Sequence, residues 1–464
     1  MHYKVLLLVL LFAACAFSQI IEKELPLPDI TVTFMERFPR YEKQVYSFES
    51  RKDTLWGKVN PYLTPEEKNK KCFPSKGEKV VFSAHVRNCG LRAVNRFQYY
   101  WSVDGKIVKK GEAGRLIPGE ELVISYEWRW KAGNHNIAFS ADPDNQIPEI
   151  SEKNNILLES STALPLKLMV EKSLYDNYRS IKNSFGSYSW EDWAQNQINA
   201  INRVLRNSIH PLTPEGILLR FKIDQLSIVP DGSELPDSSN IYFDGFYLFT
   251  KKRHEQIFYR LNLSSITFDT DLLRNIISQI VMPDLRLLSI TRHENNITNQ
   301  EYRSDYRDNF MNPNQDYSCN NANDFCEYSA KLFNSVKESG RGILLESIYS
   351  IPLENKIRLH DESDKPCGGI KVEVYRLEIL KSGLKRFSEK PIAVGITDKK
   401  GLLALPKSPF GEINADGSNG LLLLVLENKK QRYSAWLELP NFNMQYWKGN
   451  KEKAIYNILF GELK

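Results

Sequence analysis

Alternating hydrophobic and polar positions predict several short strands in the first third of the chain. Apolar residues occupy every second position from Val80 to Val86, and a period of two is typical of a strand with one buried face. Asp104-Gly105 follows the next apolar stretch and favours a hairpin turn. Further strands are predicted over residues 97–103, 122–130 and 136–140. Strands of this length and spacing indicate a β-sandwich.

Helical spacing replaces this alternation in the middle of the chain. Apolar residues recur every three or four positions from Trp190 to Leu205, which predicts an amphipathic helix. Ser189 and Asp192 form a capping box at its start. A second helix is predicted over residues 271–281, with strands over residues 216–229 and 241–250. Helices that cover one face of a sheet predict a mixed α/β domain.

Alternation returns in the last part of the chain. Ile370, Val372 and Val374 are separated by Lys371 and Glu373, as expected for a strand with one buried face. A turn is predicted over residues 395–401, and further strands over residues 421–427 and 434–439. This pattern indicates a second β-sandwich.

The first sandwich carries residues that resemble a CARDB domain. They are Tyr100-Trp101-Ser102-Val103-Asp104-Gly105, Asp142-Pro143-Asp144-Asn145, Glu149 and Asn154-Asn155. The resemblance covers residues 73–165, and Cys89 between Asn88 and Gly90 is a variation on the pattern. It implies an immunoglobulin-like fold in an extracellular chain.

The last domain carries a shorter resemblance. Its residues are Pro366-Cys367-Gly368-Gly369-Ile370-Lys371-Val372-Glu373-Val374, then Thr397-Asp398 and Gly401. They resemble the transthyretin-like or carboxypeptidase-regulatory-like modules of secreted proteins. The resemblance implies a β-sandwich that spaces, stabilises or adheres.

The second predicted helix of the middle domain resembles the zinc helix of secreted metallopeptidases with its ligands replaced. In that register Arg274 and Ser278 occupy the two histidine positions and Asn275 the glutamate position. Arg and Ser cannot replace neutral imidazole on zinc, and Asn cannot act as the base. The resemblance implies an inactive peptidase-like domain, so we do not expect zinc. The alternative is an ordinary amphipathic core helix.

The first 18 residues predict a secretory signal peptide. An apolar run precedes Ala16-Phe17-Ser18, which places small residues at the cleavage site. A competing interpretation is lipid attachment at Cys15, which would hold the protein on a membrane surface. No later stretch reaches the ~18 apolar residues that a transmembrane helix needs. We therefore expect a secreted, extracellular protein, or one that is lipid-anchored at the cell surface.

The charge balance and the absence of known catalytic motifs from the sequence exclude several classes of function. Sixty-two basic and 57 acidic residues give a net charge of +5, which is not the one-sided basic surface that nucleic acids require. The sequence has no serine-nucleophile elbow and no phosphate-binding loop. A pair of catalytic carboxylates needs no fixed spacing, so a hydrolase stays an alternative.

An acidic loop in the first sandwich is a candidate calcium site. Calcium takes six to eight oxygen ligands, and this loop could supply several of them. The candidate ligands are Asp142, Asp144, Asn145, Glu149 and Glu152. The alternative is that these side chains shape the loop through turns and caps. No other cofactor is expected.

Aromatic side chains in the same sandwich are candidate binding residues. Trp101, Trp128 and Trp130 lie in predicted strands, and an outward ring could stack on a sugar or meet a protein. The alternative is that the rings pack in the core. The expected partner is an extracellular protein or a polysaccharide.

Export from the cell would permit disulfides and glycans. Cys72 and Cys89 flank one predicted strand, while Cys319 and Cys326 share one polar loop, so each pair is a candidate disulfide. The alternative for the first pair is two small buried hydrophobic residues. Glycan acceptors in a eukaryotic source are Asn262 and Asn296.

The predicted organisation is multi-domain and β-rich. A signal peptide over residues 1–18 precedes an extended arm over 19–71. The folded domains are an immunoglobulin-like CARDB sandwich (72–165), a mixed α/β domain (166–345) and a transthyretin-like sandwich (346–464). We interpret the chain as a non-catalytic extracellular binding or adhesion protein. The alternatives are a secreted hydrolase, either a peptidase or a glycoside hydrolase, and a structural matrix or coat component.

Overall fold

The computed structural model of the protein describes residues 26–39, 74–173, 175–176, 189–231, 324–339, 348–379, 385–413, 417, 419–429 and 432–460. This part of the chain consists mainly of strands, with three helices, which confirms the predicted β-rich fold class. None of the helices in these ranges is long and apolar enough to cross a membrane. The described residues form two compact units, one within residues 1–33, 83–126 and 136–158, and the other within residues 34–82, 127–135 and 159–464.

Seven strands form two sheets in the region of the predicted first sandwich. They are β1 (Ile30–Phe38), β2 (Lys79–Asn88), β3 (Phe97–Val103), β4 (Lys106–Ala113), β5 (Glu121–Arg129), β6 (Asn136–Ala141) and β7 (Ile156–Ser160). One sheet has the order β1-β2-β5 and the other the order β4-β3-β6-β7. The alternation in the sequence therefore predicted β2, β3, β5 and β6, whereas it did not predict β4 and β7.

Aromatic rings pack on the inward side of β3 and β6. The Trp101 side chain is completely buried, and its ring meets Phe139 edge-on at a centroid distance of 5.0 Å. Tyr126 stacks on the same indole at 5.7 Å. Aromatic pairs in these geometries add roughly 0.5–1.5 kcal/mol each beyond the burial of their surface. These contacts hold the inner side of the sheet in place.

Two parallel strands and two helices follow the sandwich. They are β8 (Leu164–Glu171), α1 (Trp190–Asn207), β9 (Phe221–Val229) and α2 (Glu327–Ser339), with β8 and β9 paired in parallel. The capping prediction for α1 is confirmed, because the Ser189 hydroxyl accepts a 3.0 Å hydrogen bond from the Asp192 amide. The predicted strand 241–250 and helix 271–281, including Arg274, Asn275 and Ser278, lie outside the described residues.

The last part of the chain contains two more sheets and one helix. Its elements are β10 (Glu354–His360), β11 (Lys371–Ile379), β12 (Lys385–Phe387), β13 (Ala393–Ile396), β14 (Leu402–Ala404), β15 (Leu421–Glu427), β16 (Arg432–Glu438), α3 (Leu439–Trp447) and β17 (Lys453–Leu459). The sheet orders are β14-β10-β17 and β12-β11-β15-β16, and β13 also pairs with β11. The turn before β14 is as predicted, because the Asp398 carboxylate accepts hydrogen bonds from the amides of Lys400 and Leu402.

One hydrophobic core joins the middle and last parts of the chain. Tyr328 of α2 stacks on Trp447 of α3 at 5.4 Å, and its hydroxyl donates a 3.1 Å hydrogen bond to Asn443. Asn443 in turn donates to the carbonyls of Ile348 and Ser350. The core therefore runs through the boundary predicted between residues 345 and 346.

Candidate functional site

The four-stranded sheet turns small polar and aliphatic side chains outward on β6 and β7. The inward side chains of β3 and β6 are paired, with Trp101 opposite Phe139. The residues between them must point the other way, because successive side chains of a strand alternate between faces. Ser102 lies opposite Ala138, and Tyr100 lies opposite Ser140. The outward side chains of β3 and β6 at these positions are therefore short, except for the Tyr100 ring, and they form a low floor on this side of the sheet.

Large aliphatic side chains border this low floor. On β7, Ile156 and Leu158 are 57% and 59% exposed, while Leu157 between them is buried. On the opposite edge, Ile107 of β4 pairs with Ser102 and is 51% exposed. Exposed aliphatic side chains are common singly, but a group of them around a shallow trough is typical of an interaction surface. We call the surface formed by Ser102, Ser140, Ile156 and Leu158, with the buried Ala138 in its floor, the outer face.

The one outward aromatic ring in this face is already engaged. The Lys110 ammonium lies 4.4 Å from the centroid of the Tyr100 ring, within the range of a cation–π contact. The Tyr100 hydroxyl donates a 3.1 Å hydrogen bond to the Asp144 carboxylate. Lys110 therefore already lies over one face of this ring.

The three tryptophans predicted as binding residues lie in the interior. Trp101, Trp128 and Trp130 are 0%, 7% and 5% exposed. The Trp128 ring lies 5.6 Å from that of Trp130 and 5.3 Å from that of His135, both edge-on. Their rings are covered by protein, so they offer no open face to a sugar or to a protein surface.

The residues of the predicted calcium loop separate into two groups. Asp142 and Asn145 have positive φ angles of 37° and 48°, as short polar side chains tolerate in tight turns. The buried Asp142 carboxylate accepts a 2.8 Å hydrogen bond from the Ile147 amide. These two residues, with Asp144 bonded to Tyr100, shape the turn.

Glu149 and Glu152 belong to a separate buried network. Glu149 accepts hydrogen bonds from the Ile30 amide and, at 2.9 Å, from the Asn155 side chain. The same Asn155 amide group donates to Glu152 at 3.2 Å. Asp29, which the sequence did not indicate, lies in this network because Asn154 donates to its carboxylate at 3.1 Å. The network ties the start of β1 to the loop before β7.

Burial is the main influence on the pKa values of the carboxyl groups in this network. The pKa of Glu149 is raised to about 8 and that of Asp29 to about 6, chiefly by burial, and the neighbouring Glu152 carboxylate contributes to both increases. Hydrogen bonds from Ile30, Asn155 and Asn154 act in the opposite direction. Within the described ranges, no group of three or more His, Cys, Asp or Glu side chains is arranged to hold a metal ion. Calcium binding by this loop stays a prediction.

A second buried acidic cluster contains its own counter-ion, the Lys222 ammonium. The Lys222 ammonium lies 3.0 Å from the Asp224 carboxylate and 3.4 Å from that of Glu159. The Arg37 backbone amide donates to Asp224 at 3.3 Å. Burial raises the pKa of Glu159 to about 7, although Lys222 opposes the shift. The cluster is enclosed, so its carboxylates are placed to brace the fold.

The remaining candidates are only partly described. Cys72 and Cys319, one member of each predicted disulfide, lie outside the described residues, so pairing with Cys89 and Cys326 stays a prediction. The same holds for the glycan acceptors Asn262 and Asn296 and for lipid attachment at Cys15. Cys367 is a partly exposed free thiol whose pKa is raised, chiefly by burial.

Residues 60–159 match the CARDB family model. The match includes β2 to β6 and most of β7, and thus the outer face. It confirms the resemblance of the first sandwich to a CARDB domain, although it covers less than half of the chain. The resemblances of the middle and last parts stay predictions. No curated protein matches the chain.

Several solved structures are similar to parts of the chain at low identity. The CARDB domain of a Pyrococcus furiosus protein, solved with di-metal ions, is 18% identical and matches over 29% of this chain and 92% of that one, with a TM-score of 0.20. A domain described as part of a Methanosarcina acetivorans cell surface protein is 23% identical over 17% and 72%, with a TM-score of 0.17. A Thermotoga neapolitana β-glucosidase is 18% identical over 19% and 14%, with a TM-score of 0.14. TM-scores this low carry no argument about function.

Proposed function

We propose that this chain is a non-catalytic extracellular binding or adhesion protein that recognises a protein partner through the outer face of its CARDB-like sandwich. The observation that carries the proposal is the ridge formed by Ile156 and Leu158 beside the low floor of Ala138 and Ser140. Apolar surface at the centre of a patch and few charges there are typical of protein interfaces. Secretion and the extracellular location rest on the predicted signal peptide.

A protein partner is favoured over a polysaccharide by the position of the aromatic rings. Sugars are commonly held by stacking on an open aromatic face. The buried Trp101, Trp128 and Trp130 provide no such face, and Lys110 covers the ring of Tyr100. Aliphatic side chains at the sheet edge instead suit a complementary apolar protein surface.

The hydrolase alternative has little support in the described residues. Glu159 and Asp224 are the acidic side chains around Lys222 that come closest to a catalytic pair, but both are buried against that ammonium. A carboxylate that is neutralised by a buried lysine and enclosed by protein cannot reach a substrate. The segment to which that alternative assigns its site includes residues 232–323, which lie outside the described residues.

The proposal is tested with intact cells of the organism that produces the chain. The purified, fluorescently labelled protein is added to these cells, and bound fluorescence is measured by flow cytometry. A variant with Ile156→Lys and Leu158→Lys should lose at least about tenfold in apparent affinity, because two charges would replace the centre of an apolar contact. The matched control is Val123→Lys on β5, a side chain that is 53% exposed but lies on the other sheet.

Equal binding by the ridge variant and the control would contradict the proposed role of the outer face. Failure of the unmodified chain to bind would contradict the adhesion function itself. Hydrolysis of an added protein or polysaccharide, lost on changing one acidic residue between positions 166 and 345, would favour the hydrolase alternative.

A further inference from the structure

A ridge and a trough lie side by side on the outer face. β6 and β7 are neighbours in the sheet, so they lie about 4.8 Å apart. The outward side chains of β6 include the small Ala138 and Ser140, whereas β7 carries the large Ile156 and Leu158. The surface therefore falls from a ridge to a trough within one strand spacing.

Such a face is complementary to itself. A two-fold axis that runs parallel to the strands, between β6 and β7, exchanges left with right and brings two faces together. The β7 ridge of one copy then lies over the β6 trough of the other, and the reverse contact forms at the same time. Closed dimers with identical contacts on both copies are the commonest oligomers of soluble proteins, and stacked sheets pack about 10 Å apart.

The distribution of charge also favours an identical partner. When two copies of one face meet, any charge near the axis meets its own kind, and such contacts are costly. The outward positions of β6 and β7 carry no charged side chain, and they are occupied by Asn136, Ala138, Ser140, Ile156, Leu158 and Ser160. The exposed positions of β5, by contrast, include Glu121, Glu127 and Arg129.

We propose that the outer face is a homotypic interface, in which the β7 ridge of each copy packs into the β6 trough of a second copy of this chain. The inference rests on the proposed function and names the partner of its binding face. It describes adhesion between identical chains, as between two surfaces that both display the protein. The contact is small, so the dimer is weak, with a dissociation constant that we expect to be roughly micromolar or higher.

Sedimentation equilibrium of the full chain measures this association directly. Between ~5 and ~500 µM the average mass should rise from that of a monomer toward that of a dimer. Ile156→Glu, which places a charge on the ridge, and Ser140→Lys, which fills the trough beside it, should each remain monomeric over this range. Val123→Lys should dimerise like the unmodified chain, and all three variants should keep its circular dichroism spectrum and melting temperature.

Mixing the two monomeric variants gives the sharpest result. Hydrogen bonds from the Ala141 amide to the Asn155 carbonyl and from the Ser161 amide to the His135 carbonyl place Ser140 beside Ile156. In a mixed dimer the new carboxylate of the Ile156→Glu chain therefore faces the new ammonium of the Ser140→Lys chain. The second contact of the same dimer pairs the unchanged Ser140 with the unchanged Ile156. We therefore expect the mixture to dimerise although neither variant does so alone. Unfolding or non-specific association of a variant would not give this result.

Three results would overturn the homotypic interface. They are a monomer at every concentration, dimers that persist in both variants, and a mixture that stays monomeric. These results leave the proposed function to its own test, because a monomeric chain that still binds cells through the same face has another protein as its partner. A chain that dimerises as described but does not bind cells would keep the interface and lose the adhesion function.

Discussion

The two faces of the four-stranded sheet come from the same strands and have opposite chemistry. Inward, the Trp101 and Phe139 rings are fully buried and in contact. Outward, Ser102 and Ala138 form a low floor beside the exposed Leu158. The difference shows that β3 and β6 stabilise the domain with one side and leave the other available. Changes to the inner side should therefore lower stability, whereas changes to the outer face should affect binding alone.

The largest expected effect is on the inner side. Trp101→Ala removes a completely buried indole and should lower the free energy of unfolding by about 3–5 kcal/mol, because a cavity replaces packed atoms. Chemical denaturation followed by far-ultraviolet circular dichroism measures the loss. Leu158→Ala is the outer control and should change the free energy by less than about 0.5 kcal/mol. Similar losses of unfolding free energy for Trp101→Ala and Leu158→Ala would contradict the distinction between the two faces.

Removal of the buried Lys222 ammonium should lower the free energy of unfolding by nearly as much. Lys222→Met leaves the carboxylates of Asp224 and Glu159 without their ammonium, and breaking a buried ion pair on one side costs about 3–5 kcal/mol. Thermal unfolding at pH 7 measures the effect. The double change Lys222→Met with Asp224→Leu should recover part of the loss. Cell binding by the folded fraction of Lys222→Met should stay unchanged, since the change does not touch the outer face.

A smaller effect is expected from pH. The pKa of Glu149 is about 8 in the folded chain, above its ordinary value of 4.5, so the folded state holds a proton that the unfolded state releases. Stability from this group is thus full below about pH 4.5 and falls as pH rises toward about 8. Asp29 acts in the same direction, because its pKa rises from 3.8 to about 6. Melting temperatures recorded across pH 4 to 9 measure the trend, which Glu149→Gln should flatten.

Binding should not follow this pH dependence. The outward positions of β6 and β7 carry no titratable side chain, so the affinity of the folded protein should stay constant between about pH 5 and 8. The same labelled-cell assay, repeated at each pH where the protein is folded, checks this. An affinity that falls in parallel with the melting temperature would mean that the buried network controls the binding face.

The smallest effect is expected from calcium. The oxygens of Asp142 and Glu149 already accept hydrogen bonds from backbone and side-chain groups, and a cation would have to displace them. Addition of millimolar calcium, or of a chelator, should shift the melting temperature by about 1 °C or less. A rise of several degrees with calcium would support the predicted calcium loop.

The sequence predicted the regular parts of the sandwich for a physical reason. A strand with one buried side must alternate, and Trp101 and Val103 alternate with the more polar Tyr100 and Ser102. Edge strands obey this rule less, because neither side needs to be apolar. Thus β4 begins Lys106-Ile107-Val108-Lys109-Lys110 with every side chain exposed, and its pattern resembles that of a loop.

Contacts between distant residues escaped prediction. Asp29 lies 125 positions before Asn154, its hydrogen-bond partner, and nothing local in either segment signals the other. The acidic loop was predicted as a site, but its local sequence does not divide it into a turn around Asp142 and a buried network around Glu149. α3 was missed because its short apolar start continues the pattern of β16, and Pro440 lies in its first turn, where proline is tolerated.

The most direct test of the account is the ratio of two binding constants on intact source cells. Leu158→Lys changes the ridge of the outer face, and Val123→Lys makes the same change at a similarly exposed position of β5. We predict that both variants keep the melting temperature of the unmodified chain and that only Leu158→Lys binds several-fold more weakly. Equal affinities for the two variants would contradict it.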